Sequence, residues 1–107
     1  MLIDLAHMEE VLIYIRTHKK CRVMHYGREI FSSHTIIRVY CKLYEHEYVS
    51  WIADHQHCNQ VFQTVHSQIG RDLSDNQKRL GIKKVDRVTS LTVHHTDDKP
   101  MWWEWVK

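Results

Sequence analysis

The sequence predicts an α+β fold, a two-layer sandwich with two helices packed on one face of an antiparallel sheet. The expected order is α-β-β-β-β-α-(short α)-β-β. Three observations point there. Residues 4–17 and 54–70 repeat apolar side chains at helical spacing, residues 22–53 and 86–106 alternate with period two, and three glycines and one proline leave few sharp breaks. A chain of 107 residues, 43% apolar and 26% charged, falls in the range of one globular domain with its own core, spanning residues 1–107.

The first element is a helix from about Asp4 to Thr17. Asp4 can cap it, Met8, Val11, Leu12 and Ile15 share one face, and Lys19 and Lys20 suit its negative end. Two short extended runs follow around Gly27, which can take the positive φ of a tight turn. "TIIRVYCKL" then reads as a strand. Ile37, Val39, Cys41 and Leu43 fall on one side, with Ile36, Arg38, Tyr40 and Lys42 on the other. "YVSWIA" reads as its partner, with Cys41 opposite Trp51 and Leu43 opposite Val49, because a one-residue slip would bury Ser50.

Asp54 is expected to cap the second helix, whose apolar stripe runs through Cys58, Val61, Phe62, Val65 and Ile69 to a stop at Gly70. Ser74 and Gln77 form a capping-box pattern for a short turn closed by Gly81. The remainder reads as a hairpin ending in "MWWEWV". Setting His95 opposite Met101 puts Val93 against Trp103 and Leu91 against Trp105, both inward. Trp102 then faces away, on the side of His94, Thr92 and Glu104.

If this hairpin shares a sheet with the central strands, the open face collects Trp102, His94, Arg38, Tyr40, Lys42 and Tyr48. Trp, Tyr and Arg are enriched where proteins bind one another. The expected function is therefore a non-catalytic binding module, an adaptor or inhibitor acting through this aromatic and basic face. Its partner would be another protein or a second copy in a homodimer. The alternative is single-stranded nucleic acid, with bases stacked on rings and cations along the phosphates. Fifteen basic and thirteen acidic residues leave a net +2, without the basic excess of a dedicated duplex-DNA binder.

Catalysis finds no motif. There is no glycine-rich phosphate loop, nucleophile elbow or H-E-x-x-H, so no enzyme and no cofactor are expected. His55 and Cys58 share a helical face, but no second pair with structural-zinc spacing exists, so no metal is expected. Three cysteines without paired spacing suggest a reducing compartment, and "VLIYI" is too short for a membrane span or signal segment. The expected location is the cytoplasm. Ten histidines read mainly as solvated imidazoles, although protonating all would carry the charge from +2 to +12.

Overall fold

The computed structural model describes residues 2–85 and 101–106. Helix α1 spans Leu5–Thr17, and the Asp4 side chain caps it by accepting from the His7 amide. Met8, Val11, Leu12 and Ile15 are its buried residues, the four that the spacing predicts. A 3₁₀ turn over Lys19–Cys21 leads into a hairpin of β1 (Val23–His25) and β2 (Arg28–Ser32). Its two-residue turn has both members at positive φ, Tyr26 at 49° and Gly27 at 75°, which matches the twist of antiparallel strands.

The next segment departs from expectation. "TIIRVYCKL" lies within α2 (Ser33–Leu43), and "YVSWIA" lies within α3 (Glu45–Asp54). Arg38, Tyr40 and Lys42 therefore sit on a helix, as does Tyr48, and none belongs to a sheet face. The reason is visible in the same residues. Ser32 caps the helix through the Thr35 amide, and Ser33, Ile36, Ile37 and Tyr40 recur at offsets of three and four along the buried side. The alternation that suggested a strand was overridden by burial against α1. Asp54 ends α3 instead of starting the next helix, and α4 runs Val61–Asp75 straight through Gly70. Phe62, expected inside, is 58% exposed.

Short α5 (Gln77–Leu80) closes on Gly81, whose φ of 70° is the left-handed cap. Strands β3 (Ile82–Val85) and β4 (Trp102–Trp105) complete one antiparallel sheet in the order β1-β2-β4-β3. The fold is thus α+β, with five α-helices described and helices packed against a four-stranded sheet. The tryptophan strand does alternate, but its partner differs from expectation. Trp103 pairs with Lys84 and Trp105 with Ile82 on one side of β4, and Trp103 pairs with Phe31 on the other. Val93, Leu91, His94 and His95 lie outside the described residues.

Phe31, Trp103 and Ile82 look toward the helices and are essentially inaccessible. Burying an aromatic of this size removes 150 Å² or more from water, about 4 kcal/mol before entropy is counted. The Trp103 indole donates to Ser33 Oγ at 2.9 Å, so its one polar group is satisfied inside the core. Trp105 is half-buried against Phe31, with ring centroids 4.4 Å apart, and the Arg16 guanidinium lies over its ring at 4.9 Å. On the far side of the sheet lie half-buried Trp102 and the buried carboxylate of Glu104, paired to Arg28 and Lys83. The hydrogen bond from Arg28, then that from Lys83, hold the Glu104 carboxyl below its ordinary pKa against the opposing effect of burial.

Candidate functional site

Two clusters of polar side chains lie among the helices, and they differ in kind. The first joins α1, α2 and α3. His7 pairs with Glu47 and stacks on Tyr44 at 4.0 Å. The buried Tyr40 hydroxyl donates to Glu47 at 2.8 Å and accepts from the Asp4 amide at 3.3 Å. Tyr44 donates to Glu10. Burial and the bond to Glu47 raise the Tyr40 pKa, and the bond to Glu10 pushes that of Tyr44 up to about 12. The two tyrosine hydroxyls here spend their hydrogen bonds on carboxylates and a backbone amide. Asp72 on α4 behaves alike: it is 3% exposed and accepts from the amides of Leu2 and Ile3 and from Gln68.

The second cluster is a cleft of about 1100 Å³ between the outer sides of α2 and α4. His34, Ile37, Arg38 and Cys41 come from α2, and Tyr48 comes from α3. Phe62, Gln63, His66, Ser67, Gly70, Arg71 and Ser74 come from α4, while Lys84 and Met101 close the end nearest the sheet. Gly70 makes the closeness possible, since a β-carbon there would meet the Met101 methyl at 2.8 Å. The Tyr48 hydroxyl lies 2.8 Å from His66 Nε2 and braces the α3 side.

The electrostatics of this cleft are one-sided. No aspartate or glutamate is among its described lining residues, while Arg38, Arg71 and Lys84 are. Four of the six described arginines are engaged: Arg16 over Trp105, Arg22 with Glu29, Arg28 with Glu104, and Arg79 with Glu9. Arg38 and Arg71 have no such partner among the described residues, and both line the cleft. Gln63, Ser67 and Arg71 are exposed and follow one another at intervals of four along α4.

Of the side chains expected to meet on a sheet face, Arg38 and Tyr48 do come together, but in this cleft. Tyr40 is core, Lys42 points to Tyr14 on α1 at 2.8 Å, and Trp102 lies on the sheet's far side. His94 is outside the described residues. Arg71, Gln63, Ser67 and Lys84 were missed. The signal for the first three was present as the polar complement of the α4 apolar stripe, whereas Lys84 arrives only through the tertiary fold.

Among the described residues no group of three or more His, Cys, Asp or Glu is placed to hold a metal ion, and no helix is long and apolar enough to cross a membrane. The three cysteines are free and half-buried. Compared with known protein families, curated proteins and solved structures, the chain matches none.

Proposed function

We propose that this is a non-catalytic binding protein whose ligand is double-stranded nucleic acid, gripped at the cleft between α2 and α4. The observation that carries the reading is the pair of unengaged arginines in a cleft free of carboxylates among its described lining residues. Phosphate is the natural counterpart of such a surface, because guanidinium groups bind it through paired hydrogen bonds. The net charge of +2 counted against a duplex ligand, yet an average hides segregation: carboxylates gather at the α1–α3 cluster and leave this side cationic.

The two arginines come from α2 and α4, and Lys84 on β3 adds a third basic side chain at the end of the cleft nearest the sheet. A stacking platform for single strands has less support, since Tyr48 is held by His66 and Tyr40 is buried.

The test is fluorescence anisotropy with a labelled mixed-sequence duplex of about 20 base pairs. Three phosphate contacts predict an affinity loss of about 40-fold between about 50 and 200 mM salt. An unlabelled duplex should compete better than its separated strands. No duplex binding at the lower salt would sink the proposal.

A second reading, self-association or docking of another protein, has its own observation. Met24 and Tyr26 are 66% and 89% exposed on and beside β1, which is an edge strand. Light scattering of the wild-type chain beside a Met24→Lys variant tests it, with a dimer that the variant abolishes as the supporting result.

A further inference from the structure

We infer that the cleft is a pH-governed site: His34 takes up a proton when a phosphate enters, so affinity for the ligand rises as the solution becomes acidic. This rests on the duplex reading above and adds its regulation. His34 is exposed in the first turn of α2, lines the cleft, and has no hydrogen-bond or ion-pair partner among the described residues. It stands four residues before Arg38 on the same side of the helix. Arg71 lines the cleft from α4 and Lys84 from β3, and no carboxylate is among the described lining residues. An imidazolium in this setting finds no anion on those walls. A phosphate supplies one.

The other titratable groups of the cleft do not duplicate this role. His66 on α4 is tied to the Tyr48 hydroxyl at 2.8 Å. Cys41 on α2 and Tyr48 on α3 carry groups that ordinarily titrate above about pH 8, and burial moves the Tyr48 hydroxyl higher still. Guanidinium and ammonium groups keep their charge throughout the range in which an imidazole titrates, at about pH 6.5. A phosphate beside an imidazole favours the charged form, so the complex holds the proton to a higher pH than the free protein does. The gain in affinity is therefore complete below about pH 6.5 and is lost as pH rises through the higher value.

Anisotropy with the mixed-sequence duplex, compared at about pH 7.5 and about pH 5.5 in about 150 mM salt, reads this directly. The Debye length is then about 8 Å, so histidines far from the cleft contribute little. The wild-type chain should bind about 5-fold more tightly at the lower pH, the ratio expected when a phosphate favours the imidazolium about tenfold. His34→Gln should keep the weaker affinity at both pH values, and His34→Lys the tighter one at both. The side chain is exposed, and circular dichroism of each variant checks that the fold persists. A flat wild-type affinity, or a rise on acidification that survives in either variant, overturns proton uptake at His34 and leaves the duplex site standing. No duplex binding at either pH, in about 50 mM salt as well, overturns both.

Discussion

Tyr40 and Arg38 stand two residues apart on α2 and serve opposite ends. The Tyr40 hydroxyl is enclosed between Glu47 and the Asp4 amide, and the Arg38 guanidinium faces an open cleft with no partner among the described residues. Asp72 and Arg71, adjacent on α4, repeat the contrast. Both regions hold histidine and tyrosine, but carboxylates belong to the first and are absent from the described lining of the second. Satisfaction separates them further. A polar group whose bonds are spent inside the molecule stabilises it, and one whose bonds are unspent at a concave surface is available to a ligand.

The comparison is broken most directly at Asp72. Asp72→Ala leaves the Leu2 and Ile3 amides without their acceptor and should cost about 3 kcal/mol in chemical denaturation. A cost below about 1 kcal/mol would show that the pairing stabilises little. Tyr40→Phe keeps the ring and removes only the hydroxyl, so about 1–2 kcal/mol should be lost with no change in duplex affinity. A fall in affinity would join the two regions that the structure separates. The smallest effect sharpens the contrast: Arg38→Ala with Arg71→Ala should shift stability by no more than about 0.5 kcal/mol. A larger loss would mean that these guanidinium groups hold the fold together.

Much of the fold was legible where one period dominated. In α1 the capping aspartate and the four apolar positions agree, and in β4 the alternation separates Trp103 from Trp102. Residues 33–43 were misread because Ile36, Ile37, Val39 and Tyr40 satisfy both periods in part. The deciding facts, the Ser32 cap and the presence of α1 across the interface, are respectively subtle and tertiary. The expected site dissolved with that strand. Its replacement draws on α2, α4 and β3, whose distance along the chain hides their closeness, and only the α4 stripe had a local signature.

Met101 touches all three walls of that cleft. Its carbonyl accepts from the Ser33 amide where α2 begins, its methyl lies 2.8 Å from where a Gly70 β-carbon would stand, and the residue leads directly into β4. One residue thus acts as the common reference for two helices and a sheet. A receptor braced in this way is preorganised, and the entropy otherwise lost in assembling its walls has already been lost on folding. Enlarging Gly70 would displace this brace and relax the spacing between the helices, so a ligand would meet a looser surface even with every side chain that touches it unchanged.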